Sequence, residues 1–231
     1  MTRGAGSRRW RWIALAVGIV IVAAIAVPFV YIHFIEGPAP AKLSLSSTGS
    51  VGPAATMSQI DGSWRIASGS QAGYRVQEVL AGQNNTAVGR TSDVTGQLRI
   101  AGSTVTAAAF TVDLRTVKSD QSQRDNQFNG RIMDTADFPT ATFTLTHPIR
   151  LTSLPKVNQT IDVTASGTLT MHGVTRAVTA SLQARYTGSA IQIGGSIPVT
   201  FSQWNIQNPS FGGFVKTQDH GLVEILLRTT K

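Results

Sequence analysis

The side chains that most often perform catalysis do not form a recognisable catalytic motif in this sequence. The chain has 231 residues, with four His and no Cys. Without Cys it has no thiol nucleophile, no zinc–thiolate site and no iron–sulfur cluster. The nucleophile elbow G-x-S-x-G, the zinc-binding motif H-E-x-x-H and the glycine-rich phosphate loops are also absent from the sequence. We therefore predict that the protein is not an enzyme and uses neither a metal ion nor a cofactor.

Two polar groups remain as candidates for chemistry, and each has a structural alternative. Arg124 and Asp125 are adjacent and could act as a catalytic pair, but we favour a role in anchoring a long loop to the wall of the fold. His172 precedes a glycine on the polar face of a predicted strand, so we favour turn capping over a role as ligand or base. His147 and His220 are far from it in sequence, and no local spacing indicates a metal site.

The positive charge of the chain does not indicate a nucleic-acid-binding protein. There are 20 basic and 12 acidic residues, a formal net charge of +8. Four Arg lie within the first eleven residues, whereas the 16 basic and 11 acidic residues from position 37 onward are spread without a run of Lys or Arg. Nucleic-acid binding usually needs clustered positive charge. No nucleic-acid partner is therefore predicted.

Residues 13–35 predict a transmembrane anchor. This stretch of 23 residues contains no Asp, Glu, Lys or Arg, and as a helix it reaches roughly 34 Å, enough to cross a hydrocarbon core of about 30 Å. Two Trp and one Tyr lie at its ends, and the Arg-rich tail, residues 1–12, predicts a cytoplasmic N-terminus with the remainder exported. A cleaved signal peptide is the alternative, but its apolar region is usually shorter, about 7–15 residues.

The rest of the chain divides into a linker and one domain. Residues 36–58 are dominated by Pro, Gly, Ser, Ala and Thr without apolar periodicity, which predicts a flexible linker. Residues 59–231 are 173 residues, enough to bury a core without disulfides. We predict a single extracytoplasmic domain.

Strand alternation dominates this domain. In residues 161–172, Ile161, Val163, Leu169 and Met171 alternate with Asp, Thr, Ser and His, so one face is apolar and the other is wet. Short connections containing Gly, Asn, Asp or Pro favour antiparallel neighbours, and about eight such strands form a sandwich or a barrel. The predicted strands are 64–66, 73–80, 97–100, 105–114, 140–147, 161–172, 177–186, 191–193, 197–201 and 222–229.

Residues 117–139 interrupt the alternation. The stretch is charged and shows no period of two, which predicts a short helix or irregular excursion. It should end at Phe138, because the residue before a proline disfavours the helical conformation. A long excursion in a meander of short turns often forms a lid or a mouth.

Three stretches of this domain resemble the YceI-like family of exported, lipocalin-like, polyisoprenoid-binding proteins. They are Arg124-Asp125, the run DFPTATF at 137–143 and the run GTLTMHGVTR at 167–176. The resemblance covers nearly all of residues 59–231. It implies an all-β fold, an antiparallel barrel of about eight strands with one helical or irregular excursion, preceded by the predicted transmembrane helix.

The resemblance also implies a lengthwise apolar cavity for an isoprenoid or other amphiphilic lipid. A barrel of about eight strands either is filled by its own side chains or holds one slim ligand. A solid core is thus the alternative, and small inward residues such as Ala141, Ala165 and Gly167 favour the cavity because they leave volume unfilled. The predicted cavity residues are Phe110, Val112, Phe143, Leu145, Ile161, Val163, Leu169, Met171, Val178, Leu182, Val199 and Phe201.

The mouth of the barrel is predicted to carry aromatic and cationic side chains. Arg124 or Arg131 would meet an anionic headgroup, and Phe128, Phe138 and Trp204 would line the opening. Taken together, the sequence predicts a lipid-binding protein tethered to the outer face of the cell membrane, for transport or storage. The alternatives are an envelope structural or interaction barrel without a ligand and, less favoured, an enzyme acting on a lipid-like substrate. The sequence does not decide between a monomer and a homodimer.

Overall fold

A computed structural model describes residues 13, 15–20, 22, 38–46, 49–80, 82–213 and 215–231. Its elements are mostly strands joined by short turns. The strands are β1 (Gly62–Ile66), β2 (Gln71–Leu80), β3 (Gln83–Thr91), β4 (Val94–Ala101), β5 (Thr104–Asp113), β6 (Thr140–Leu145), β7 (Ile149–Arg150), β8 (Thr160–Met171), β9 (Val174–Tyr186), β10 (Ile191–Thr200), β11 (Val215–Thr217) and β12 (His220–Thr230). The short helices are α1 (Met57–Ile60), α2 (Ser122–Gln127), a π-helix (Phe128–Ile132) and two 3-10 turns (Leu114–Thr116 and Phe201–Trp204).

The strands close into an antiparallel barrel with eight positions around it. Starting from β1, the order is β4, β5, β6, β8, β9, β10 and β12, and β12 returns to β1 through Thr230 beside Arg65. Further along, β12 pairs with β2, which in turn pairs with β3. Because β1 runs into β2 and β3 into β4, each of these pairs occupies one position of the wall. The predicted antiparallel barrel of about eight strands is confirmed.

We call the end of the barrel that holds α1 and the start of β8 the lower end, and the opposite end the upper end. At the lower end, Ile60 and Trp64 are almost completely buried, and the indole Nε1 of Trp64 donates to the Ile60 carbonyl at 2.8 Å. The ring of Tyr186 meets Trp64 edge-on, with 6.1 Å between ring centroids. This packing fixes α1 across the lower end.

The excursion between β5 and β6 lies over part of the upper end. It contains the first 3-10 turn, α2 and the π-helix, and the backbone N–H of Leu114 donates to the Pro139 carbonyl at 2.8 Å, which joins its two ends. The predicted interruption of the strand pattern is therefore confirmed, and Phe128 and Met133 pack from it into the core.

The hairpin between β8 and β9 shows how local sequence sets the register. His172 and Gly173 both have positive φ, 48° and 71°, as a two-residue turn with a right-handed strand twist requires. The turn pairs Met171 directly with Val174, and the register then holds to Thr160 beside Arg185. The predicted turn at His172 and Gly173 matches the structure.

Three strands were not predicted: β3 and the two short strands β7 and β11. Asn84 and Asn85 suggest a turn in the sequence, but they lie within β3, and the turn lies nearer Gly82, whose φ is 83°. The Asn85 side chain donates to a carboxylate oxygen of Glu78 on β2 at 2.9 Å. A cross-strand partner therefore outweighs the turn preference of Asn.

The segment between the predicted anchor and the barrel contacts the barrel wall. The backbone N–H of Gly52 donates to the Val157 carbonyl at 2.9 Å, and that of Ala55 to the Pro155 carbonyl at 2.9 Å. Leu43 and Ala55 are buried. Within the described residues, much of the stretch predicted to be a flexible linker, 36–58, thus lies against the fold.

Most of the predicted anchor, residues 13–35, lies outside the described residues. Residues 13, 15–20 and 22 are helical. In the part of the chain that the structure describes, no helix combines the length and the apolar character that crossing a bilayer requires. The anchor stays a prediction.

Candidate functional site

The interior of the barrel contains two adjoining cavities, which we call the lower chamber and the upper chamber. The lower chamber has a volume of about 150 Å³, and all the surface facing it is apolar. The upper chamber is larger, about 370 Å³, and part of its surface is polar. Val112, Ala141 and Val223 line both, so they form a waist where the chambers meet.

The lower chamber follows from the strand alternation. The inward side chains of β4, β5, β6, β8, β9 and β10 meet there, and Ile60 of α1 lines its base. Such a surface offers no hydrogen-bond partner, so water gains little by occupying it. It suits a hydrocarbon chain.

Most of the predicted cavity residues line one chamber or the other. Val112 is at the waist, and only Val178 lines neither chamber; it is half-buried and packs against the upper part of the core. The lower chamber has Phe110, Phe143, Leu145, Ile161, Val163, Leu169 and Leu182. The upper chamber has Met171, Val199 and Phe201. Their role in ligand binding stays a prediction.

One small inward residue does not enlarge the cavity as expected. The ring of Phe143 lies over Gly167, and a Cβ at that position would come within 2.4 Å of the ring. The glycine therefore makes room for Phe143 rather than for a ligand. Ala141, Ala165 and Ala180, in contrast, line the lower chamber.

The residues predicted at the mouth separate into two groups. Arg124 and Phe128 line the upper chamber. Arg131 instead donates to the Pro209 carbonyl at 3.3 Å, and Phe138 packs edge-on against His172. Trp204 is almost fully buried, and its Nε1 donates to the Leu169 carbonyl at 3.3 Å. The last three side chains support the wall and do not line either chamber.

Arg124 and Asp125 form ion pairs and hydrogen bonds with different residues. The Arg124 guanidinium is 3.4 Å from a Glu78 carboxylate oxygen and also pairs with Asp120. The Asp125 carboxylate accepts from the backbone N–H of Ser119 at 2.8 Å and from its hydroxyl at 2.7 Å. These contacts anchor the excursion to itself and to β2, which agrees with the anchoring role favoured above.

Among the residues of the upper chamber that were not identified from the sequence are Tyr74 and Glu78. Both point inward from β2, and the Tyr74 ring stacks on Phe128 with 5.1 Å between centroids. Burial raises the pKa of the Tyr74 phenol well above its usual range, although the nearby Arg124 guanidinium partly opposes this. The sequence feature that could have identified them is their spacing, because residues 74, 76 and 78 lie on the same face of a strand.

The three histidines in the described residues, His147, His172 and His220, have hydrogen-bond partners. The Nδ1 of His172 donates to the Trp204 carbonyl at 2.9 Å, which ties the β8–β9 turn to the second 3-10 turn. Within the described ranges, no cluster of three His, Asp or Glu side chains is arranged to hold a metal ion. The polar residues that line the upper chamber include Glu78, Gln121, Gln123, Arg124, Gln127 and Thr217.

Two carboxylates surround the positive charge of Arg124 in the upper chamber. The carboxylates belong to Glu78 and Asp120. An added anion would meet a guanidinium that is already neutralised and a net negative surrounding. The phenol of Tyr74 and the amides of Gln123 and Gln127 offer uncharged hydrogen-bonding groups in the same chamber.

Comparison with known proteins agrees with this architecture. The structure is similar to a polyisoprenoid binding domain from Saccharophagus degradans implicated in plant cell wall breakdown, with a TM-score of 0.58 and 16% identity over 73% of this chain and 98% of that one. It is also similar to BcnA from Burkholderia cenocepacia, with a TM-score of 0.52 and 19% identity over 68% of this chain and 96% of that one. None of the curated proteins compared with the chain matches it.

A family model described as the YceI-like domain matches residues 64–228. That range begins at Trp64 in β1 and ends in β12, so it contains β2 to β11 completely and most of β1 and β12. The match extends over well more than half of the sequence. This chain therefore belongs to the YceI-like family.

Proposed function

We propose that this protein binds one amphiphilic lipid with an isoprenoid-like tail, the tail in the lower chamber and the headgroup in the upper chamber. The observation that carries the proposal is the pairing of a wholly apolar chamber with a larger, partly polar one across a shared waist. An amphiphile has the same division. Burial of the tail at roughly 25 cal/mol per Å² supplies affinity without any specific polar contact.

The dimensions of the barrel support a long, slim ligand. The 12 residues of β8 extend roughly 40 Å along the strand. With a tilt of about 35–45°, the barrel is roughly 30 Å along its axis. The structural relative from Saccharophagus degradans is described as a polyisoprenoid binding domain, which supports the same class of ligand for this chain.

The proposed location is the outer face of the cell membrane. The uncharged stretch 13–35 and the Arg-rich residues 1–12 support a single span with a cytoplasmic N-terminus. The barrel is then held beside the membrane that supplies its ligand. We propose that it carries or stores the lipid there, without covalent chemistry.

Lipid extraction tests the proposal directly. The full chain is purified in detergent, extracted with organic solvent and analysed by mass spectrometry, and a fluorescent polyprenyl probe is titrated into the protein. We expect a stoichiometric lipid or saturable uptake of the probe. Neither a co-purified lipid nor any uptake would contradict the proposal and favour a structural or interaction barrel.

A matched pair of variants locates the binding. Ala141→Phe places a ring at the waist, whereas Ala177→Phe places it on the exposed outer face of β9. We expect loss of long-chain probe binding in the first variant and unchanged binding in the second. If Ala141→Phe does not fold, as judged by circular dichroism, Ala141→Leu gives the same comparison with less added volume.

A further inference from the structure

We propose that the barrel sits on the membrane with its upper end facing the bilayer, so that the loop of residues 205–217 contacts lipid and the upper chamber opens toward it. The inference rests on the proposed membrane tether and adds an orientation and a contact surface to it. It starts from residues 38–46, which we call the strap.

The strap is fixed to the outer wall of the barrel by two arginines. Arg75 donates to the Pro40 carbonyl at 2.6 Å, and Arg90 donates to the Ala41 carbonyl. Both arginines face Glu224 of β12, at 2.7 Å for Arg75 and 3.7 Å for Arg90. The side chains of Arg75 and Glu224 are only 9% and 3% exposed, although they lie on the outward face of their strands. Hydrogen bonds to the strap carbonyls compensate part of the cost of burying these charges.

The strap has a direction along the barrel. Pro40 lies beside Arg75, which is in the upper part of the β1–β2 wall. Leu45 lies against Gly194, where a Cβ would come within 3.2 Å of the Leu45 backbone nitrogen. Gly52 then bonds to Val157 at the lower end. The chain therefore descends from the strap toward α1, and its N-terminal side leaves toward the upper end.

The chain between the strap and the predicted span is short. Residue 35 ends the span, and five residues reach at most about 17 Å to residue 40. Leu80, at the top of β2, lies five residues beyond Arg75, which is roughly 13 Å along the axis of a tilted strand. The bilayer surface is then at about the height of the upper end. A free linker would allow any orientation, but a strap held on the wall does not.

The upper end presents a suitable surface. Phe211 is 66% exposed, and it pairs with Val215 around a tight turn in which Gly212 and Gly213 have positive φ. Phe211 also lines the upper chamber together with Pro209. An exposed Phe gains free energy when its ring is buried at the boundary between headgroups and acyl chains. A lipid leaving the membrane at this loop would enter the chamber without crossing water.

The lower end has exposed apolar side chains as well, Val51 and Met57. Both residues follow the strap in the chain and lie at the lower end. The tether precedes the strap and leads toward the opposite, upper end. The direction of the strap therefore decides between the two ends, and the experiment must compare them.

The sequence contains no Cys, so a single introduced Cys gives an unambiguous probe position. Gln207→Cys labels the upper loop, and Ser189→Cys labels an exposed turn at the lower end. The full chain is reconstituted into vesicles of phosphatidylcholine with 20% phosphatidylglycerol (about 1 in 5 lipids, enough anionic surface to mimic a leaflet). Each variant carries an environment-sensitive dye, and quenching by lipids spin-labelled near the headgroup is measured.

We expect strong quenching at residue 207 and at least a severalfold weaker effect at residue 189. Equal quenching at both sites, stronger quenching at 189, or none at either site would overturn the orientation. Flotation of the same vesicles tests the tether separately. Protein that floats with the vesicles but shows no quenching at residue 207 contradicts the orientation alone. Protein that does not float contradicts both the tether and the orientation.

A linker insertion tests the cause. A flexible Gly–Ser segment of about 20 residues between Gly37 and Pro38 leaves the strap and both chambers intact but lengthens the tether. We expect the quenching at 207 to fall toward that at 189, while flotation and polyprenyl uptake stay unchanged. Quenching at 207 that survives the insertion would mean that the short tether does not set the orientation, and would overturn the argument.

Discussion

The two halves of the barrel interior are built on different principles. The lower chamber is walled by regular strands that alternate inward and outward residues, and α1 closes it with Ile60. The upper chamber is lined in large part by the excursion and the 205–217 loop, and it contains charged and phenolic groups. Under the proposed function, the regular lower half accepts any apolar tail of suitable length, whereas the irregular upper half discriminates between headgroups.

The largest expected effect concerns the base of the lower half. Trp64→Ala removes an almost fully buried indole and its hydrogen bond to Ile60. We expect the free energy of unfolding to fall by about 3–5 kcal/mol, measured by denaturant titration. Phe211→Ala at the exposed upper loop is the control and should change it by less than about 0.5 kcal/mol. Similar losses of stability in both variants would contradict the contrast between a packed lower end and an exposed upper loop.

The second prediction separates the chambers by ligand length. Ala180→Leu adds volume at the wall of the lower chamber only. We expect the affinity for a long polyprenyl probe to fall by about tenfold or more, equivalent to about 1.4 kcal/mol, because the tail loses its space. A short probe held in the upper chamber should be affected much less. Ala177→Leu, on the outer face of the same strand, is the control for both probes.

A third prediction concerns the headgroup. Glu78→Gln removes one of the two carboxylates that neutralise Arg124. We expect the preference for a polyprenyl phosphate over the corresponding polyprenol to rise by about threefold, because the site becomes more positive. Competition binding with the two lipids measures the ratio. An unchanged ratio would show that the headgroup does not reach Arg124.

The smallest expected effect is a pH dependence in the upper half. Burial raises the pKa of Tyr74 above its value in the unfolded chain, which is about 10. Its contribution to stability is therefore present below about pH 10 and is lost as the pH rises above that toward the folded pKa. In Tyr74→Phe, the free energy of unfolding should fall less steeply between about pH 10 and 11 than in the unchanged protein. Parallel slopes in the two proteins would contradict this.

Much of the lower half could be predicted from the sequence, because alternation is a local signal. Ile161, Val163 and Leu169 share one face of β8 in the sequence and line the lower chamber together. The family resemblance supplied the closure of the barrel, which alternation alone left open to a sandwich. β3 was missed because Asn85 has a side-chain partner on β2 that no local pattern reveals.

The upper half and the strap depend on contacts between distant parts of the chain. The chamber wall beside Tyr74 is completed by Phe128, more than fifty positions later, whose ring stacks on it. Pro40 and Ala41 are held by Arg75 and Arg90, yet their own composition is that of a linker. The composition of a segment indicates its own conformational preference. It contains no information on Arg75 and Glu224, the charged pair on the barrel wall that the segment contacts.

The short helix beneath the lower chamber has a consequence for the route by which the proposed lipid enters and leaves the barrel. Ile60 of α1 lines the base of the lower chamber, whereas the upper chamber is lined in part by the exposed Phe211. If the protein carries a lipid as proposed, the tail then enters first and leaves last through the upper end. A donor and an acceptor would therefore have to meet the same end of the barrel, one after the other.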